Sequence, residues 1–169
     1  MRLGLMQRED RASVARLLSA TGAFSHEEID VALELFDEVH TEHGHDHRDY
    51  EFLGAFNNDG TVVAFACFGA TPSTSGTYDL YWLAVHPDVQ GGGTGRSLVD
   101  WVERDLERRG ARLLVVETSS RADYQRTRQF YARRGYAEAA RVRDYYAPAD
   151  DRIILSTRLT PREVGAPTR

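Results

Sequence analysis

The stretch Val85-His86-Pro87-Asp88-Val89-Gln90-Gly91-Gly92-Gly93-Thr94-Gly95-Arg96 constrains this chain more than any other. It follows Tyr78 to Val85, a run of aromatic and branched residues that reads as a β-strand. It precedes a run in which Leu98, Val102 and Leu106 recur every fourth residue and which Gly110 closes, the pattern of an amphipathic helix with a glycine just past its end. Arg112 to Thr118 is then a nearly continuous apolar run, as expected of a strand covered on both faces. Strand, glycine-rich turn, helix and strand in this order make a βαβ unit, so the two strands are expected to run parallel with a right-handed crossover.

The place of the glycines gives them chemical meaning. A helix start leaves backbone N–H groups unpaired and carries positive partial charge, and residues without Cβ let that backbone approach an anion closely. A phosphate or pyrophosphate suits such a turn. No lysine follows the glycines, and all 21 basic residues of the chain are arginine, so this is not a Walker A loop. Gly91, Gly93 and Gly95 are spaced G-x-G-x-G, which departs from the dinucleotide fingerprint and argues against ATP and NAD alike. Taken alone, a glycine cluster also reads as a plain flexible loop.

The rest of the chain supplies a sheet and its helices. Leu3 and Leu5 open as a short apolar segment, and Val14, Leu17 and Leu18 predict a helix with Asp10 as its N-cap. Ser25 and Glu28 have capping-box spacing ahead of Ile29, Ala32, Leu33 and Phe36. Tyr50 to Phe56 alternate, Asn57-Asn58-Asp59-Gly60 is a turn, and Thr61 to Phe68 is β-rich, which predicts a hairpin. A helix from about Tyr124 to Arg134 ends at Gly135, and strands near Tyr136 to Tyr145 and Arg152 to Leu159 complete the set. The expected class is mixed α/β (α+β): a mostly antiparallel sheet of six to seven strands, one parallel pair around the glycine loop, and helices on both faces. One domain over residues 1–159 suits the length of 169, with residues 160–169 as a flexible tail.

Composition narrows the function. A net charge of −5 disfavours nucleic acid as the main partner. Cys67 is the one cysteine, so no intrachain disulfide and no four-thiolate zinc site can form; it sits mid-strand and reads as a small buried hydrophobe. The longest apolar run, Val62 to Phe68, is far short of the roughly 20 residues that span a bilayer, and Met1 to Asp10 lacks the apolar core of a signal peptide. The expectation is a cytoplasmic protein without a membrane partner. His40, His43, His45 and His47, interleaved with Glu42, Asp46 and Asp49, match no standard metal spacing, so no metal is expected and a solvated or acceptor-adjacent loop is the reading.

Gln90-Gly91-Gly92-Gly93-Thr94-Gly95 resembles the Q/R-x-x-G-x-G/A motif of the GNAT superfamily of acyl-CoA-dependent N-acetyltransferases. Leu80 to Val85 is similar to the strand before that motif, and Phe130-Tyr131-Ala132-Arg133-Arg134-Gly135-Tyr136 resembles the family's F-Y-x-x-x-G-F/Y signature. The resemblance covers the element order from residue 1 to about 159. It implies that Gly91, Gly92, Gly93, Thr94, Gly95 and Arg96 hold the pyrophosphate of acetyl-CoA, with Gln90 opening the loop. It implies pantetheine along Leu83, Ala84 and Val85, where an amide would polarise the thioester carbonyl, and Tyr131 as the acid that protonates the departing thiolate. Asp79 stands where histone-acetylating members carry a glutamate base. One departure is Tyr124, which occupies a place where the family often has Asn. A homodimer is a further family trait.

The chemistry asks for these residue types independently. An alkylamine with a pKa of about 10.4 is only about one part in 2,500 neutral at pH 7, so a group must accept its proton before it attacks the thioester. Asp79 shares a strand face with Tyr81 and Leu83, and Glu117 at the end of the next strand is the competing base. Either carboxylate also reads as purely structural, and Tyr131 beside Phe130 as core. Arg128, one turn before Tyr131, is the arginine that suits the 3′-phosphate of CoA. Tyr78, Tyr81, Trp82, Tyr145 and Tyr146 read mostly as sheet-facing core, with one or two of them as the lining of an acceptor pocket, and Asp150 and Asp151 as turn residues after Pro148. The function expected is acetyl transfer from acetyl-CoA to an amine-bearing acceptor by direct attack. A non-catalytic acyl-CoA-binding module is the alternative.

Overall fold

The computed structural model describes residues 1–40 and 50–160; His43, His45, His47 and the tail from residue 161 lie outside them. Seven strands form one sheet: β1 (Arg2–Leu5), β2 (Glu51–Phe56), β3 (Val62–Ala70), β4 (Thr77–Val85), β5 (Leu113–Ser119), β6 (Ala137–Ala147) and β7 (Asp150–Arg158). Their order is β1-β2-β3-β4-β5-β7-β6. The helices are α1 (Arg11–Thr21), α2 (His26–Val39), α3 (Thr94–Arg108) and α4 (Gln125–Arg133). The parallel pair is β4 with β5, registered from Thr77↔Leu113 to Leu80↔Val116, while β5–β7 and β6–β7 are antiparallel. The expected class is therefore the observed one. No helix among the described residues is long and apolar enough to cross a membrane.

The chain divides into two compact units, each discontinuous in sequence. Met1–Ala70 with Tyr81–Arg104 form one, and Thr71–Leu80 with the chain from Asp105 onward form the other. In the first unit, β3 is apolar throughout because both of its faces are covered. Phe65 and Cys67 join a buried cluster with Val14, Leu17 and Leu18 of α1, Ala32 and Phe36 of α2, and Phe52 of β2. On the opposite face Phe68 meets the Trp101 ring of α3 edge-on, with centroids 6.5 Å apart. Burial pushes the Cys67 thiol well above its ordinary range, which keeps it an inert hydrophobe.

Local signals set the ends of these elements. Ser25 Oγ accepts the Glu28 N–H at 3.2 Å while Glu28 Oε2 accepts the Ser25 N–H at 2.7 Å, the reciprocal capping box read from sequence. Asn57 Oδ1 accepts the N–H groups of Asp59 and Thr61, which closes the β2–β3 turn. Asp10 departs from expectation. It has helical dihedrals and turns its carboxylate back to the Gln7 N–H at 2.8 Å, capping a 3-10 turn that precedes α1.

In the second unit, Leu114, Val116 and Thr118 of β5 are buried together with Ile153 and Leu155 of β7. The other row of β5 is more open than a doubly covered strand would be: Leu113 and Val115 are half-buried and Glu117 is exposed. Every residue of β6 is exposed, so Tyr145 and Tyr146, at 51% and 48% exposure, are not the core residues that their aromatic character suggested. Asp150 and Asp151 likewise do more than close a turn. Buried Asp150 accepts a hydrogen bond from Ser119 Oγ, and Asp151 N–H donates to Ser120 Oγ at 2.8 Å, which ties the start of β7 to the end of β5.

Candidate active site

The glycine loop begins where β4 ends. His86 N–H donates to Val63 O at 2.9 Å, and Pro87–Val89 form a 3-10 turn. The Gln90 side chain then reaches back, its Nε2 donating to Val85 O at 3.0 Å, so this residue closes the loop onto the strand it left. Gly91 and Gly93 hold φ of +80° and +86°, values that L side chains adopt only with strain. Gly95 answers a different demand, because a Cβ there would come within 3.3 Å of Val85 Cγ2. Ser97 N–H makes the first helical hydrogen bond, to Gly93 O at 2.9 Å. The amides ahead of it form the start of a 15-residue helix, the arrangement that binds phosphate oxygens.

The remaining loop residues support this arrangement. Thr94 is buried, with its hydroxyl 3.6 Å from Met1 Sδ, whereas Arg96 is exposed and lies 3.6 Å from Asp100 one turn on. Along β4, Ala84 is buried and Leu83 and Val85 are half-buried.

The titratable candidates belong to the second unit. Asp79 pairs in register with Val115, which puts it on the same sheet face as Glu117. The two carboxylates have different partners. Asp79 Oδ2 accepts the Thr71 hydroxyl at 2.5 Å, within a turn also closed by Thr71 N–H to Thr77 O. Glu117, 39% exposed, accepts the Tyr146 hydroxyl on Oε1 at 2.5 Å and pairs through Oε2 with Arg152 Nη2. Tyr131 is 2% exposed and lies edge-on to Phe130 and Tyr136, with centroids 5.0 and 5.1 Å away. Arg128 Nη1 donates to the carbonyls of Ser119 and Arg121 at 2.6 and 2.8 Å, so this arginine holds the turn after β5 whatever else it binds.

Residues 13–136 match the profile of the Acetyltransferase (GNAT) family. The chain belongs to that family. A GNAT-family protein from Desulfovibrio desulfuricans is 40% identical and superposes with a TM-score of 0.85 over 93% of this chain and 98% of that one. The [ribosomal protein bS18]-alanine N-acetyltransferase of Escherichia coli K12 is 34% identical over 94 residues, a match that spans 54% of this chain and 62% of that relative. The crystal structure of the Escherichia coli ribosomal-protein-S18-alanine N-acetyltransferase superposes with a TM-score of 0.76 at 24% identity, covering 99% of each chain. A Salmonella typhimurium structure solved with its cofactor acetyl-CoA has a TM-score of 0.72 at 19% identity, over 99% of this chain and 98% of that one. The last two show a likeness of fold.

In this GNAT chain the residues that sequence reasoning missed are those around Glu117. Tyr146 and Arg152 arrive from β6 and β7, and Arg152 is also hydrogen-bonded to Tyr145 Oη at 3.2 Å and lies 5.0 Å from that ring's centroid. Burial first, and then the Glu117 carboxylate, push the Tyr146 phenol well above its ordinary range, which keeps it a protonated donor. The signal available in the sequence was the Tyr145-Tyr146 pair next to a turn, where core aromatics are out of place.

Proposed function

We propose that this chain moves an acetyl group from acetyl-CoA to a primary amine by direct attack. The observation that carries the reading is the loop from Gln90 to Arg96: two positive-φ glycines and a side chain that pins the turn, leaving helix-start amides ahead of the first helical bond. These amides suit the pyrophosphate of acetyl-CoA, and the backbone of Leu83, Ala84 and Val85 is the surface proposed for pantetheine. Arg128 is the cation proposed for the 3′-phosphate, in addition to its two carbonyls.

The amine nitrogen attacks the thioester carbon, a C–N bond forms, and the charge gathers on the carbonyl oxygen, which a strand amide would stabilise. The tetrahedral intermediate collapses by breaking C–S. Tyr131 is proposed to protonate the departing thiolate and a carboxylate to take the amine's proton. Both carboxylates have partners, and Glu117 is favoured on exposure: it is exposed at the C-terminal end of β5, whereas Asp79 is half-buried in the turn that Thr71 closes.

For the acceptor we propose the α-amine of a peptide or protein, supported by the 34% identity to a protein-alanine N-acetyltransferase. An α-amine, with a pKa of about 7.7 to 8.0, is roughly a tenth neutral at pH 7 and needs less help from a base than a lysine. A cytoplasmic location is proposed with it.

The test is a thermal-unfolding shift with acetyl-CoA, with ATP and NAD as controls, followed by CoA release with an alanine-terminated peptide. Saturation near 100 times the dissociation constant adds about 2.7 kcal/mol, a shift of several degrees. A shift by acetyl-CoA alone together with CoA release that N-terminal blocking of the peptide abolishes supports the reading. No shift overturns the cofactor assignment, and a shift without turnover of any amine favours the acyl-CoA-binding module.

A further inference from the structure

Glu117 is held on both carboxylate oxygens by residues from two other strands. In register it faces Ile154 of β7, and Arg152, two residues away, stands diagonally across the same sheet face. Arg152 reaches Oε2 through Nη2. Its other end is fixed by Tyr145, whose hydroxyl meets Nη1 at 3.2 Å and whose ring faces the guanidinium at 5.0 Å, inside cation–π range. Arg152 is thus clamped between a ring and a carboxylate, with its side chain 32% exposed.

Tyr146 reaches Oε1 because β6 leaves the ladder there. Its register with β7 shifts once between Glu138 and Ala140, runs on to Val142↔Arg152, breaks again, and resumes at Ala147↔Asp150. The intervening residues are lifted out, and the lift is a built corner. Asp144 holds φ at +51°, its N–H donates to Asp151 Oδ1 at 3.1 Å, and its Oδ1 accepts the Ala149 N–H at 2.7 Å. Arg141 Nη1 holds the other oxygen of Asp151 at 2.9 Å. A non-glycine residue at positive φ, locked by two hydrogen bonds, presents Tyr146 to Glu117 and Tyr145 to Arg152.

These contacts divide the carboxylate. Oε2 is occupied by a permanent cation, and Oε1 accepts from a hydroxyl that can itself accept on its remaining lone pair. We propose that Glu117 takes the acceptor's proton at Oε1 through the Tyr146 hydroxyl, with Arg152 as the positioning residue that occupies Oε2 and aims the carboxylate. The amine N–H proton moves to Tyr146 Oη as the Tyr146 proton moves to Glu117 Oε1. Tyr146 ends as it began, Glu117 ends neutral, and its exposure lets it return the proton to water. This inference rests on Glu117 as the base.

Five variants separate the two ideas, each assayed for CoA release with acetyl-CoA and an alanine-terminated peptide. Glu117→Gln lowers kcat by about 100-fold or more if Glu117 is the base. Tyr146→Phe and Arg152→Gln each lower kcat by about tenfold or more with the acetyl-CoA KM unchanged. Arg152→Lys, which keeps the charge, retains more activity than Arg152→Gln. Millimolar guanidinium restores part of the Arg152→Ala rate, which a variant that merely failed to fold would not allow. If Glu117→Gln is slow while Tyr146→Phe and Arg152→Gln stay within about twofold of the parent, the relay is wrong and the base assignment stands. If Glu117→Gln itself is within about twofold, the base assignment fails and the relay with it.

Discussion

Tyr131 shows what one residue can be asked to do. Its ring is packed edge-on between Phe130 and Tyr136 and is 2% exposed, so Tyr131→Phe preserves the packing and removes one hydroxyl. If that hydroxyl protonates the thiolate, kcat falls by about 10- to 100-fold while acetyl-CoA affinity, measured by titration calorimetry, is unchanged. Unchanged turnover removes Tyr131 as the acid. At this scale the sequence was legible wherever a conformation is local. Gln90 and the glycines after it declare their role because a turn and a helix start are made by neighbours in the chain. The Glu117 cluster was illegible for the opposite reason: Tyr146 lies 29 residues from Glu117, and only the strand register brings them together. Arg128 shows a third case. Its place on α4, one turn before Tyr131, follows from helical spacing, but its bonds to the Ser119 and Arg121 carbonyls depend on how the chain turns after β5.

Helices and strands follow the same division. The α2 capping box was readable because Ser25 and Glu28 are three residues apart and answer only to each other. Ser25→Ala removes the acceptor for the Glu28 N–H and is expected to cost about 1 kcal/mol, read as a lowered Tm with activity retained. A Tm within error of the parent would mean that water replaces the cap. Asp10 was read as an N-cap from residue type alone, yet its carboxylate serves Gln7, because a 3-10 turn intervenes before α1. The β2–β3 hairpin was legible through alternation and the Asn57 turn. β6 was placed correctly but not understood, since its alternation hides the break after Val142, and the corner is held by Asp144 of β6 itself together with Asp151 of β7.

At the scale of the molecule, each unit is assembled from two separate stretches of chain, and β4 and α3 each cross from one unit to the other in mid-element. Neither unit can melt alone without breaking a strand and a helix partway along. We therefore expect one cooperative transition in denaturant, with tryptophan fluorescence, which reports Trp82 and Trp101 in the first unit, coinciding with far-ultraviolet dichroism, which reports both. Two separated midpoints would show that the units unfold independently and would overturn the single-domain reading. Composition and length suggested one domain, and they were silent on the interleaving, which is a property of strand order.

That order also has a consequence for a chain being made. β7 is made after β6, yet it lies between β5 and β6, so it enters the interior of the sheet and leaves the earlier β6 at the rim. Until residue 158 has left the ribosome, β5 waits with an open edge and Glu117 has no Arg152 to meet. A nascent chain stalled before Asp150 would thus expose a sticky strand, and β7 on its arrival completes both the sheet and the chemistry proposed for it.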